Sequence, residues 1–229
     1  MNYLLNIHTT SENAIVNLSN GDQVLSTLIN SDSRQHAAFL HASVSEILQE
    51  NDILPTSLKA VGVTGGPGSY TGIRVGLATA KGLCFALKIP MIMMNTLELM
   101  AFSAIEKILN KNAFYCPMID ARRLEVFTAV YDEQLDPVIQ PSAMVLEENS
   151  FYDLTQNHPV FFFGSGVEKF KKILNSNVNY HFIDDPLSSF SLAKFAWNKF
   201  QKNEFDNLAY SKAFYVKEFY SNPKILKKK

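Results

Sequence analysis

The segment Thr64–Gly76, read TGGPGSYTGIRVG, concentrates the residue types that could do chemistry. A glycine-rich turn leaving a strand for a helix presents backbone N–H groups and a helix N-terminus, which together suit an anion. Gly65, Gly66, Gly68, Ser69 and Thr71 could make that contact. The same spacing also serves as a tight turn packing a helix against a sheet, and both readings stay open. Two familiar phosphate motifs fail. No Gly-Lys-Ser/Thr ending makes a P-loop, and Gly66-x-Gly68 lacks the third glycine of a dinucleotide fingerprint. Ser69 is not a nucleophile elbow, because Pro67 and Thr71 stand where that motif has glycines.

Elsewhere the chemistry is sparser. His36 and His41 are five apart and project about 140° from each other on a helix, so they cannot form the i, i+4 pair that holds a metal on one face. Asp120 with Glu125 could be an acid/base pair or two structural carboxylates at a strand end. No nucleophile–base constellation of a self-standing peptidase is present in the sequence. No catalytic residue and no metal ligand is therefore expected. The four arginines, Arg34, Arg74, Arg122 and Arg123, all sit in or beside these stretches, and arginine's planar fork suits fixed polar contacts.

The elements that must position these residues fall into two similar halves. Tyr3–His8, Ala14–Leu18 and Gln23–Ile29 read as strands, the last two joined by an Asn20-Gly21 turn. Asp32 and Gln35 resemble a capping box opening a helix whose apolar stripe is Ala37, Leu40, Val44, Ile47 and Leu48. Ala60–Thr64 is a short strand, Thr71–Lys88 a helix, Pro90–Met94 a strand and Thr96–Asn110 a connecting helix. The order repeats with strands Phe114–Asp120, Leu124–Asp132 and Val138–Val145, helix Glu147–Gln156, strand Val160–Phe163, helix Gly166–Leu174 and helix Ser188–Lys202. His8 matches Asp120, and Thr64-Gly65-Gly66 matches Gly164-Ser165-Gly166. The expected division is a lobe at 1–95, a connecting helix at 96–112, a second lobe at 113–215 and a basic tail at 216–229.

The helix after the glycine-rich turn carries Gly72, Gly76 and Gly82, each costing about 1 kcal/mol relative to alanine. Such a helix usually gains close backbone approach. Gly72, Gly76, Thr79, Leu83 and Ala86 project to one side, and Ile73, Leu77, Ala80 and Cys84 to an adjacent one. Arg74, Lys81 and Lys88 form a narrow polar strip, so the helix should be covered on two sides. Phe39 projects off the first helix's stripe, beside Ala42 and Ser43, as a candidate interface anchor.

Composition is that of a packed globular protein: 47% hydrophobic, 19% charged, formal net charge −1. A chain that grips nucleic acid unaided is normally basic, so such a role would involve a partner. Cys84 and Cys116 lie far apart among apolar residues and read as reduced structural thiols. No signal-like segment opens the chain, and no apolar run approaches the roughly 18 residues of a membrane span. A cytoplasmic location away from membranes is expected.

At Thr64–Gly76 the sequence resembles the TsaB family, bacterial subunits of the machinery that makes threonylcarbamoyladenosine on tRNA. Ile7-His8-Thr9-Thr10-Ser11, Pro90–Leu97 and Ile119–Phe127 agree with it, and the resemblance is close over residues 1–130 and thin beyond. It implies a duplicated actin-like (ribonuclease H-like) α/β fold, with two lobes that each hold a mixed five-stranded sheet and flanking helices. It implies a non-catalytic partner of TsaD, joined by TsaE, that reaches tRNA only through the complex. ATP and metal would sit on the partner subunits, with no cofactor on this chain. Pairing through the first two long helices would use His36, Phe39, Leu40, Ser43, Gly72, Val75, Gly76, Thr79 and Leu83, and the isolated chain would form a homodimer. Within that fold a small-molecule phosphotransferase is the alternative. His8 stands where the family usually has Asp, which weakens it. The Lys227-Lys228-Lys229 run reads as a solvated tail.

Overall fold

The computed structural model describes residues 1–32, 35–174 and 180–216; Arg34 and residues 217–229 of the basic tail lie outside them. Strands β1 (Tyr3–His8), β2 (Ala14–Asn20), β3 (Gln23–Asn30), β4 (Leu58–Gly66) and β5 (Met91–Asn95) form one sheet in the order β3-β2-β1-β4-β5. A second sheet holds β6 (Phe114–Asp120), β7 (Glu125–Tyr131), β8 (Pro137–Val145), β9 (Val160–Phe163) and β10 (Tyr180–Phe182) in the order β10-β9-β6-β7-β8. Adding five to each strand number of the first sheet reproduces the second. The pairing senses match too: antiparallel within each opening meander, parallel for β1–β4, β4–β5, β6–β9 and β9–β10. The duplication expected from element order is thus present in the hydrogen-bonded topology. Central strands β1, β2 and β4 are buried almost throughout, as strands covered on both faces require.

Helices α1 (His36–Glu50) and α2 (Tyr70–Leu87) cover the outer face of the first sheet. Leu5 and Ile7 of β1 meet Leu40, Ile47, Leu77 and Ala80 there. The capping box expected at Asp32 does not form: Gln35 is itself the N-cap, and its side chain instead donates to Asp32 Oδ2 at 3.1 Å. In the second half α4 spans only Tyr152–Thr155 and α5 Val167–Ile173. The longer helix expected over 147–156 is cut short by a turn at Glu147–Ser150 and a left-handed Phe151, φ 66°.

The remaining helices tie the halves together. Helix α3 (Thr96–Ile108), capped by Asn95 Oδ1 on the Leu97 and Glu98 N–H groups, is apolar on two faces. Leu97, Met100, Ala101 and Ala104 pack on the second sheet, while Leu99 joins the core under the first. Helix α6 (Ser189–Gln201) opens with a Ser188/Ser191 capping box, and Leu192, Phe195 and Ala196 land on Leu4, Ala60 and Ile92 of the first sheet. The segment after it also returns to the first sheet: Asp206 N donates to Met91 O at 2.9 Å, and Leu208 and Ala213 pack on the α1–α2 core. Helix α6 and residues 206–216, most of which lie within the expected second-lobe bounds of 113–215, thus pack on the first sheet.

Candidate functional site

The glycine-rich loop is clamped from two directions by the chain's own backbone. Phe214 N donates to Gly65 O at 2.7 Å, and a Cβ on Gly66 (φ 109°) would lie 2.7 Å from Phe214 O. On the other side Ser69 N donates to Thr10 O at 2.8 Å, and a Cβ on Gly68 (φ 148°) would overlap that same carbonyl. A Cβ on Gly65 would press on Met93 Cγ, 2.6 Å away. The space that the missing side chains of Gly65, Gly66 and Gly68 leave is taken by Met93, Phe214 and Thr10, so these glycines serve close packing of the loop. Ser69 and Thr71 are exposed, and Ser69 Oγ caps α2 by accepting from Gly72 N at 3.2 Å.

Close approach continues into α2. A Cβ on Gly72 would overlap Thr9 O and one on Gly76 Thr9 Oγ1, while that hydroxyl donates to Gly72 O at 2.8 Å. Gly72 and Gly76, offered as partner contacts, thus pack on the end of β1. On α1, His36, Leu40 and Ser43 are likewise buried in the chain, with His36 Nε2 3.2 Å from Glu12 O. All five are thus buried within the isolated chain, Leu40, Gly72 and Gly76 against the first sheet and His36 against the β1–β2 loop. Phe39 and Val75 are half-buried against the same core.

At the end of β1, His8 is fully buried, its Nε2 2.8 Å from Ser11 Oγ and its Nδ1 3.5 Å from Thr10 Oγ1. Desolvation first, and then nearby His36, push its pKa down to about 4, so the imidazole is neutral. Its counterpart Asp120 pairs with Lys169 Nζ at 2.6 Å and accepts from Arg122 N at 2.6 Å. Desolvation would raise the Asp120 carboxyl, but the Lys169 and Arg122 contacts outweigh it and hold the group below its ordinary range. Asp120 is thus engaged with Lys169 rather than with Glu125, whose backbone closes the hairpin turn through Arg122 and Arg123, both left-handed. Cys84 and Cys116 are free and buried, and desolvation raises their thiols to about 11 and about 12.

Thr79 and Leu83 meet a different environment. With Ala78 and Gly82 of α2 and Val44 and Leu48 of α1, they line a groove of about 530 Å³ between the two helices. Gly82 has nothing within 4 Å of an added Cβ. His41 and Ser45, both exposed, stand on the α1 side of the groove. The sequence reading assigned Val44 and Leu48 to the core; Gly82, a helical glycine with no packing reason, was the available signal for an open site.

Among the described residues no helix is long and apolar enough to cross a membrane. A protein-family model described as TsaD, tRNA N6-adenosine threonylcarbamoyltransferase, matches residues 23–227. The Bacillus subtilis tRNA threonylcarbamoyladenosine biosynthesis protein TsaB is 28% identical over 174 residues, covering 75% of this chain and 74% of that protein. The Escherichia coli TsaB protein is 32% identical over 147 residues, covering 60% and 62%. YeaZ from Pseudomonas aeruginosa superposes with a TM-score of 0.76 at 23% identity, covering 94% of this chain and all of that one, which establishes the shared duplicated actin-like fold. By these matches the chain belongs to the family described as tRNA N6-adenosine threonylcarbamoyltransferase and, within it, to the TsaB proteins of tRNA threonylcarbamoyladenosine biosynthesis.

Proposed function

We propose that this chain is a non-catalytic subunit that pairs with TsaD, the α1–α2 groove receiving the partner. The carrying observation is the groove itself: an apolar cleft between the two long helices, opening beside exposed His41 and Ser45. An apolar surface of this kind favours association, because covering it removes hydrocarbon from water. In the absence of TsaD a second copy of the chain takes that place. TsaE joins the assembly, and ATP and metal are held by the partner subunits. The neutral, buried His8 supports this reading over a phosphotransferase, since it offers no carboxylate at the end of β1.

Co-purification of the tagged chain with TsaD of the same organism tests the proposal. Gly82→Trp fills the groove from a position where an added Cβ meets nothing within 4 Å, so it should keep the melting temperature and lose TsaD. Retention of TsaD by this variant would remove the groove from the proposal, and failure of the unaltered chain to retain TsaD would remove the pairing.

A further inference from the structure

Charge is distributed unevenly along this nearly neutral chain. Between Asp52 and Glu98 there is no acidic residue, while Lys59, Arg74, Lys81 and Lys88 occur. Beyond Asp206 six lysines, the first of them Lys212, face one acid, Glu218. These two stretches hold ten of the 21 basic residues and one of the 22 acidic ones, so the rest of the chain is strongly acidic.

The fold lays the described part of the second stretch, residues 207–216 with Lys212, beside α2 of the first. Residues 207–215 run along α2 from its C-terminal end toward its N-terminal end. Asp206 bonds at Met91, Ser211 O accepts from Lys81 Nζ at 2.7 Å, and Tyr215 OH accepts from Arg74 Nε at 3.2 Å. Arg74 also stacks 3.9 Å over the Tyr70 ring. Aromatic rings stand out of this basic strip. Phe85, one helical turn past Lys81, and Tyr210, next to Ser211, are each 81% exposed, and Tyr70 and Tyr215 are partly so. This strip lies on α2 beside, and not within, the groove lined by Thr79, Gly82 and Leu83.

We propose that this strip is an RNA contact surface, on which unpaired bases stack on Phe85 and Tyr210 while Arg74, Lys88 and Lys212 meet phosphates. Cations interleaved with exposed rings are the features that hold single-stranded nucleic acid. A protein partner recognised by the same rings would not call for the scarcity of acidic residues in both stretches. The acidic remainder of the chain makes the contact local and weak, suited to adding grip within an assembly. The identification of the RNA as a tRNA rests on the proposed place of this chain in tRNA threonylcarbamoyladenosine biosynthesis, whereas the RNA contact itself does not.

The test uses the full-length chain without partners and a fluorescein-labelled, unmodified tRNA, read by anisotropy at low salt. Binding should be saturable and fall with salt along a log–log slope of about −2 to −3, as three or four released counterions require. Phe85→Ala and Tyr210→Ala should each weaken it about tenfold with the melting temperature unchanged, because both rings are largely exposed. A combined Lys88→Glu/Lys212→Glu change should lower affinity and flatten the slope, whereas Lys107→Glu on α3 should not. Absence of saturable binding, or equal affinity in all variants, overturns the proposal. So would ring variants that bind RNA normally but lose TsaD, which would make the strip a protein interface. RNA binding by an unaltered chain that fails to retain TsaD would refute the partner reading and leave this one standing.

Discussion

Gly76 and Gly82 lie six residues apart in one helix and should answer substitution in opposite ways. A side chain on Gly76 would collide with Thr9 Oγ1, the hydroxyl that ties β1 to Gly72 O. Gly76→Leu should therefore destabilise the isolated chain by about 1–3 kcal/mol, read as a lower melting temperature; an unchanged melt would mean the helix is free to move off β1. Gly82 meets nothing, so Gly82→Ala should stabilise by up to about 1 kcal/mol through helix propensity alone. His8 gives a residue-scale pH effect. Its folded pKa of about 4 lies below the ordinary 6.5, so between those values the unfolded chain binds the extra proton. Stability should be full above pH 6.5 and fall as the pH drops toward 4, by on the order of 3 kcal/mol. Denaturant melts of His8→Gln across that window should show a shallower slope than the unaltered chain. Equal slopes would place the acid sensitivity on other groups.

Among the elements, the segment 206–216 does the work of a strand and a helix without being either. It bonds the β5 edge at Met91 and Met93, holds Gly65 O through Phe214 N, and adds Leu208 and Ala213 to the outer core. Removing residues 205–229 should cost on the order of 2 kcal/mol, or a fall of about 4–8 °C in Tm. It should also speed hydrogen exchange at Ser69 and in the first turn of α2. A truncated chain with native protection there would show that Thr10 alone holds the loop. The short α4 and α5 mark the other contrast. The second sheet's outer face is closed largely by the ring cluster of Phe151, Phe162, Phe170 and Tyr180, centroids 5.2–5.6 Å apart, where the first sheet has two long helices. A groove-forming helix pair therefore exists in the first half alone among the described residues.

On the scale of the whole molecule, the two halves share topology and exchange cover. Helix α3 leaves the first sheet to pack on the second, and α6 leaves the second to pack on the first. A fragment of residues 1–112 would expose Leu4, Ala60 and Ile92, which α6 covers in the full chain. It should lack cooperative unfolding by near-ultraviolet circular dichroism, and co-expression with residues 113–229 should restore it. A cooperatively folded 1–112 fragment would mean that α6 is dispensable cover.

Element order, the strand-to-helix position of the glycine-rich loop and the twofold repeat were legible in the residues themselves, because they rest on local signals. Gly21 takes its left-handed turn with φ 64°, and Asn95 and Ser188 cap their helices from adjacent positions. Short β10 carried too little pattern to be read, and 147–156 carried a helical pattern that a left-handed Phe151 interrupts. The inward face of α2 was not legible, since a helix apolar on two sides has no unique buried face in its periodicity. It was decided by the approach of Thr9 and Thr10 to Gly68, Gly72 and Gly76, a contact between segments some 60 residues apart in sequence. Likewise only the tertiary structure could send α6 and residues 206–216 back to the first sheet. Their amphipathic pattern states that an apolar face must be covered, and which sheet covers it depends on where the whole chain has already left one bare.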